Sequence, residues 1–349
     1  MARIVALGTA VPPHRLDADA FQAAATGAFA ASGADPRLVA RMAAHCGVRE
    51  RYIAAPVEHV LASRPLGERN REYAAAAEEL GERAARAALA GSEVAPAEID
   101  LIVSVSCTGY LLPSLDARLV ARLGLRPDVC RLPITELGCL AGAAALARAD
   151  DLLHRSGRET ALVVAAEFPS LTFQPADASM DNLVSTLVFA DGAAAAVLCA
   201  GRGPGFEIVD TLSRIVPGTL AEMGFELREG GFYVVLSKDV ATLLAAPFAD
   251  AAAQLLGSHG LAPRDLGFAC IHPGGPKILR AVDAALGVEG LTAPSWHVLE
   301  RFGNQSSASV LFILDYIRRC VAPPDGAFGL LVGFGPGLSL ELALLRFHA

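Results

Sequence analysis

The sequence predicts a layered α/β fold made of two βα-rich halves related by duplication. Two buried-strand patterns of one shape, DLIVSVSCTG from Asp100 and LGFACIHPGG from Leu266, both end in small residues. Cys139 stands 32 positions after Cys107, and Asn304 stands 32 positions after His272. GCLAGAAAL from Gly138 and GNQSSASVL from Gly303 repeat one design: a glycine, a reactive or polar residue, then a run of small residues suited to a tightly packed helix.

The remaining elements follow the same doubling. A helical stretch precedes each first strand, NREYAAAAEELGERAARAALA from Asn70 and FADAAAQLLGSHG from Phe248. Each is followed by a Pro-acidic turn, VAPAEID or LAPRDLG, which marks a helix-to-strand connection. Each small-residue helix leads to an apolar strand, TALVVAAE from Thr160 and FGLLVGFGPG from Phe328. The halves meet near CAGRGPG, Cys199 to Gly205, which divides the chain into 1–202 and 203–349. The alternation predicts two mixed, mostly parallel sheets with helices between and outside them. In such folds the chemistry gathers at strand carboxyl ends and helix amino ends. Cys139 and Asn304 are therefore expected at equivalent helix starts, with His272 at a strand end beside them.

Composition narrows the function. Hydrophobic residues make up 53% of the 349 and charged residues 19%, which suits a well-packed enzyme and excludes a disordered or fibrous chain. A net charge of −8, with no block of Lys and Arg, argues against nucleic acid as a partner. The opening MARIVALGTAVPPHRL stops its apolar run at Pro12-Pro13, short of a secretory signal. No stretch reads as the roughly 18 to 20 apolar residues of a membrane span. Cys46, Cys107, Cys130, Cys139, Cys199, Cys270 and Cys320 are scattered singly, which predicts reduced thiols, a cytoplasmic location and no zinc site.

On the segment alone Cys139 accommodates two readings, inert packing and nucleophile. A helix amino terminus favours thiolate, and a nearby imidazole strengthens the effect by ion pairing. Such settings lower a cysteine pKa from about 8.5 to roughly 3.5–7.5. Asn304 is then placed to support His272 or to donate with it to an oxyanion, and it is also a favoured helix cap. Cys46, Cys130, Cys199, Cys270 and Cys320 read as core filler, and Cys107 as a residue beside the site. His14, His45, His59, His154, His259, His297 and His348 read as surface or structural residues.

Taken together, GCLAGAAAL, IHPGGPKIL, GNQSSASVLFIL and GFGPGLSLE resemble the signatures of type III polyketide synthases, the chalcone and stilbene synthase family. The resemblance begins at IVALGTAVPPHRLD and runs through RMAAHCGVRERY, CTGYLLPSLDARL and LVFADGAAAAVL to the last strand, nearly the whole chain. The Ala- and Arg-rich composition and the CTGYLLPSLDARL segment give it a bacterial character. It implies a homodimer of the thiolase fold, layered αβαβα, with no metal or redox cofactor and with coenzyme A thioesters as substrates. The activity implied is decarboxylative condensation of malonyl-CoA onto an acyl-CoA starter, iterated and closed to a pyrone, resorcinol or phloroglucinol-type ring. Cys139 matches the nucleophile that carries the acyl chain, and His272 and Asn304 match the pair that grips the thioester carbonyl of malonyl-CoA.

The resemblance also implies a cavity. Phe189 matches an aromatic gatekeeper, and Val234 stands where the family carries a second. Thr108, Leu112, Thr172, Phe225 and Ser306 fall at lining positions, with Leu112 reaching across the dimer. Phe225 stands where plant enzymes commonly carry glycine. Gly335 and Pro336 lie in the loop that shapes the cyclisation chamber. Arg41 matches a basic residue on the coenzyme A phosphates, while two family lysines fall on Leu38 and His45, leaving Arg37 as a neighbouring cation.

Three rivals share parts of this pattern. Papain-like proteases have Cys, His and Asn in the same order, but their thiol sits in a different motif. Ketoacyl synthase III performs one condensation on acyl carrier protein, with Gln-Ala-Asn after its histidine where this chain has Pro-Gly-Gly-Pro. A non-catalytic acyl-CoA-binding subunit of the same fold would have lost triad residues, and all three are present.

Overall fold

A single sheet of nine strands runs through the protein, described here by a computed structural model covering all 349 residues. In chain order the strands are β1 (Ala2–Ala10), β2 (His14–Asp17), β3 (Glu50–Ile53), β4 (Leu101–Val105), β5 (Cys130–Ile134), β6 (Thr160–Glu167) and β7 (Gly192–Ala200). They continue as β8 (Gly205–Ile215), β9 (Met223–Arg228), β10 (Gly231–Leu236), β11 (Leu266–Ile271), β12 (Phe328–Gly335) and β13 (Ser339–His348). The order across the sheet is β11-β12-β13-β8-β1-β7-β6-β4-β5. Read outward from the centre, β1-β7-β6-β4 on one side and β8-β13-β12-β11 on the other have the same order and the same directions, so the duplication is visible in topology.

Two expectations are corrected. The halves share one sheet, because β1 and β8 pair over two rungs, Arg3 with Glu207 and Ile4 with Phe206. The sheet is also mostly antiparallel: only β11–β12, β6–β4 and β4–β5 run parallel. The turn after β12 is too short for a crossover, which forces β13 to reverse direction beside it. Phe206 reinforces the narrow junction, its ring 5.4 Å from that of Phe268 and 5.3 Å from that of Phe347. Pro133 is tolerated in β5 because that strand is an edge.

Side-chain alternation divides the core between the two faces of the sheet. Leu101, Val103, Val163 and Ala165 pack with Ala141, Val310 and Leu311, so one face holds the helices Ala141–Ser156 and Ser309–Tyr316. Ile102, Leu162 and Val164 pack on the other face, with the helix Leu66–Ala90 outside the first half and Val240–Gly257 outside the second. The helix Ala141–Ser156 packs on β4 and β6 of the first half and on β12 and β13 of the second, so the two halves of the sheet enclose the inner helices and five layers, αβαβα, result. The two inner helices approach closely at Gly142, where a Cβ would lie 2.1 Å from the Ser307 carbonyl oxygen. The predicted Pro-acidic turns are short 3-10 helices, Pro96–Glu98 and Pro263–Asp265. Val240–Gly257 is the one helix with the length and hydropathy of a span, but it carries Pro247 and Asp250 and packs on β8 and β13. Cys46, Cys199 and Cys270 are buried as expected, whereas Cys130 is half-buried on the edge strand and Cys320 is exposed.

Candidate active site

Cys139, His272 and Asn304 line one cavity. Each arrives on a separate element. Cys139 lies in the 3-10 turn Gly138–Leu140 that runs into the helix Ala141–Ser156. Gly138 makes that turn possible: its φ is +58°, and a Cβ would meet the Pro336 ring at 2.5 Å. His272 continues β11 by one residue, its N–H donating to the Val332 carbonyl at 2.8 Å. Asn304 sits on an isolated parallel bridge with Phe189: its N–H donates to Val188 and its carbonyl accepts from Ala190, at 2.9 and 3.0 Å.

The Asn304 carboxamide Oδ1 accepts from the Ser306 N–H at 2.9 Å, an Asx-type turn that leaves Nδ2 without a protein partner. Ser306 adopts φ +49°, a left-handed conformation that costs a non-glycine residue about 1–3 kcal/mol. Its Oγ lies 3.4 Å from the sulfurs of both Cys139 and Cys107.

One participant was not singled out from the sequence. Glu167, at the end of β6, is fully buried and accepts hydrogen bonds from the Cys107 N–H (3.1 Å), Thr108 Oγ1 (2.8 Å) and Ser307 Oγ (2.5 Å). It joins the ends of β4 and β6 to the loop carrying Ser306. The available signal was a lone carboxylate closing an otherwise apolar strand, TALVVAAE.

Electrostatics depart from the expected thiolate–imidazolium pair. Burial pushes the Cys139 thiol up to about 12, against the stabilising contact of Ser306. Burial also pushes His272 down to about 3, and its Nδ1 has no hydrogen-bond partner. Burial likewise raises Cys107, with Glu167 adding to the shift, and Glu167 itself is raised. In this dry chamber the charged forms lose more hydration than the turn and the neighbouring hydroxyl return. Burial in this chamber thus opposes the charged forms of both Cys139 and His272.

Of the expected lining residues, Thr108, Phe189, Phe225, Val234, Ser306 and Pro336 face the cavity. Phe225 and Val234 are direct cross-strand partners in the β9–β10 hairpin, which also contributes Met223 and Leu236 to the wall. Two assignments, Thr172 and Gly335, are corrected. Thr172 is buried behind the wall, its Oγ1 donating to the Pro169 carbonyl at 2.8 Å. Gly335 packs against Leu140, where a Cβ would meet the side chain at 2.5 Å. Leu112 is 76% exposed and lines no part of this protomer's cavity. Arg41 is exposed on the helix Pro36–His45, with Arg37 one turn before it. One cluster of metal-ligand type, His59, Glu68 and Glu72, already holds the Arg64 guanidinium, 2.6 Å from Glu72 and 2.7 Å from His59 Nε2.

Comparison with known proteins agrees with this architecture. The N-terminal domain of chalcone and stilbene synthases matches residues 1–202, and the C-terminal domain matches residues 207–348. A 1,3,6,8-tetrahydroxynaphthalene synthase of Streptomyces peucetius subsp. caesius is 38% identical over 99% of this chain and 93% of its own. A putative chalcone synthase of Bacillus subtilis is 30% identical over 100% of this chain and 99% of its own. Among solved structures, the 1,3,6,8-tetrahydroxynaphthalene synthase of Streptomyces coelicolor A3(2), a bacterial type III polyketide synthase, has a TM-score of 0.95 at 33% identity, covering 99% of both chains. The C-terminal type III polyketide synthase domain of Steely1 from Dictyostelium has a TM-score of 0.90 at 27% identity, covering 100% of this chain and 99% of its own.

Proposed function

Because the chain belongs to the chalcone and stilbene synthase family, we propose that Cys139, His272 and Asn304 carry its chemistry in the cavity they share. The protein is a type III polyketide synthase, an acyltransferase that condenses malonyl-CoA units onto an acyl-CoA starter and cyclises the product, with coenzyme A thioesters as substrates and no further cofactor. The observation that carries the assignment of residues is the convergence of a thiol, an imidazole and a carboxamide on one largely apolar chamber.

The roles follow from the chemistry. The Cys139 thiol attacks the starter thioester while its proton passes to His272, which returns it to the departing coenzyme A thiol. Malonyl-CoA then binds with its thioester oxygen between His272 and the free Nδ2 of Asn304. Loss of carbon dioxide leaves an enolate, and preorganised donors in a dry site stabilise its oxygen. The enolate carbon attacks the acyl group on Cys139 and releases the thiolate. A histidine whose burial favours the neutral form suits the acylation step, since a neutral imidazole can accept the Cys139 proton.

Phe189, Phe225 and Val234 set the entrance and the chamber width, Thr108, Ser306 and Pro336 complete the lining, and Arg41 binds the coenzyme A phosphates. The halves are 1–202, with the nucleophile, and 203–349, with the histidine and asparagine, a division supported by the repeated strand order. The active form is a homodimer, a reading supported by the exposure of Tyr110 and Leu112 together on the loop after β4. In that dimer Leu112 reaches the partner's cavity. Seven free cysteines support a cytoplasmic setting.

Mass spectrometry of products from malonyl-CoA with short, long and aromatic acyl-CoA starters, and with malonyl-CoA alone, tests the proposal. Similarity to tetrahydroxynaphthalene synthases supports a polyhydroxylated naphthalene, beside the pyrone and resorcinol outcomes. A single condensation that requires acyl carrier protein would overturn it.

A further inference from the structure

Arg51, on β3, is 2% exposed and forms no salt bridge within 4 Å. Its guanidinium instead donates to three backbone carbonyls, Thr186 (3.1 Å), Leu187 (2.6 Å) and Phe189 (2.9 Å). These lie in and just beyond the last turn of the helix Met180–Val188. The carbonyl between them, Val188, accepts from the Asn304 N–H. A helix C-terminus leaves its last carbonyls unsatisfied and carries partial negative charge, so a buried cation is well matched there. The Phe21 ring covers the guanidinium, 3.8 Å from its carbon.

Two residues past Phe189, Asp191 completes the arrangement from the other side. It is fully buried. Its carboxylate accepts from the Ser170 N–H (2.8 Å), Ser170 Oγ (2.5 Å) and the Ala54 N–H (2.6 Å), and its own N–H donates to the Tyr52 carbonyl (2.8 Å). Pro169, the neighbour of Ser170, lines the cavity. Arg51 and Asp191 thus tie β3 to the backbone of Phe189, to its bridge partner Asn304 and to the wall at Pro169. Neither touches the cavity.

We infer that Arg51, with Asp191, is a positioning residue for condensation, holding the Phe189 gate and the Asn304 carboxamide on one backbone rung so that both keep their aim into the cavity. The inference rests on the roles given above to Phe189 and Asn304. Arg51→Met frees three carbonyls and lets that rung shift, while leaving the Cys139 turn, which it does not contact, in place. A shift of about 1 Å costs roughly 100-fold in rate.

The experiment measures malonyl-CoA decarboxylation, Cys139 alkylation by iodoacetamide, and the ratio of products from short and long acyl-CoA starters, on the full-length protein. For Arg51→Met the kcat for decarboxylation is expected to fall about 100-fold, with KM changed far less and alkylation within about twofold. Arg51→Lys is expected to recover part of that loss, since an ammonium keeps the charge but not the planar fork. Ser170→Ala, a mild change, is expected to shift the starter ratio by about threefold through Asp191.

An unchanged decarboxylation kcat and starter ratio in folded Arg51→Met overturns the inference. So does a parallel loss of alkylation, which marks a general collapse of the site. Where Arg51→Met does not fold, Arg51→Lys and Ser170→Ala decide: wild-type kcat and starter ratio in both overturn it. Asn304→Ala, run alongside, separates the two levels. Intact decarboxylation in that variant removes the site assignment and this inference together, whereas its loss alone, with Arg51 variants unaffected, removes only this inference.

Discussion

The two halves place equivalent positions around one cavity and treat them in opposite ways. In the first half, β4 leads to Cys107 and β6 ends at Glu167; in the second, β11 leads to His272 and β12 ends at Gly335. Glu167 gathers its neighbours into a closed network, so the polar atoms around it are already engaged. Gly335 has no side chain to offer, and there the His272 imidazole, which lines the cavity, and Asn304 Nδ2 have no protein partner. Duplication thus supplied two copies of one frame. One copy became a braced wall holding the nucleophile, and the other kept unspent donors for a ligand, since a satisfied donor has little left to give a transition state.

The most damaging way to break this contrast is at the nucleophile. Cys139→Ala is expected to lower product formation by about 10⁴-fold or more, with an unchanged thermal unfolding curve. Product at the wild-type rate would remove Cys139 from the mechanism. Next come the unspent donors. His272→Ala and Asn304→Ala are expected to slow malonyl-CoA decarboxylation by about 10²–10³-fold, and acylation of Cys139 by much less, in single-turnover assays. Equal losses in both steps would show that the halves do not divide the labour.

The resting charge state gives a third test. With the thiol pushed up to about 12 and the imidazole down to about 3, neither group changes charge between about pH 5 and 9. The thiolate fraction then grows about tenfold per pH unit, and the alkylation rate of Cys139 should rise without a plateau across that range. A plateau above neutral pH would show a preformed ion pair instead.

Bracing and reactivity should also separate by measurement. Glu167→Gln places a donor against the Thr108 hydroxyl and the Cys107 N–H, and is expected to cost about 1–3 kcal/mol of stability by chemical denaturation. Decarboxylation should be affected far less than in Asn304→Ala. The smallest effect belongs to the hairpin. Val234→Phe, opposite Phe225 on the paired strand, is expected to narrow the range of accepted starters by a few-fold, about the 1–3 kcal/mol that a pocket gains or loses per methylene-sized change. An unchanged starter profile would place the selectivity elsewhere.

Much of this was legible in the chain. The equal spacing of Cys107 to Cys139 and His272 to Asn304, with matching Pro-acidic turns, revealed the duplicated frame because local pattern repeats wherever local structure repeats. The nucleophile, the histidine and the asparagine stood out because each follows or begins a distinctive turn. Glu167 and Arg51 did not, since their importance lies in partners 60 to 140 residues away that no periodicity marks.

By itself the sequence determined the layered α/β class, the doubled plan, the strands and helices of each copy, and the residue types that meet at their ends, all properties of short-range pattern and turn chemistry. Only the tertiary structure decided that the halves share one sheet through two rungs at β1 and β8. It alone decided that Thr172 and Gly335 stand behind the wall, that Phe225 faces Val234, and that burial opposes the charged forms of Cys139 and His272. Those outcomes depend on burial and on contacts between distant segments, and they exist only once the chain has closed around them.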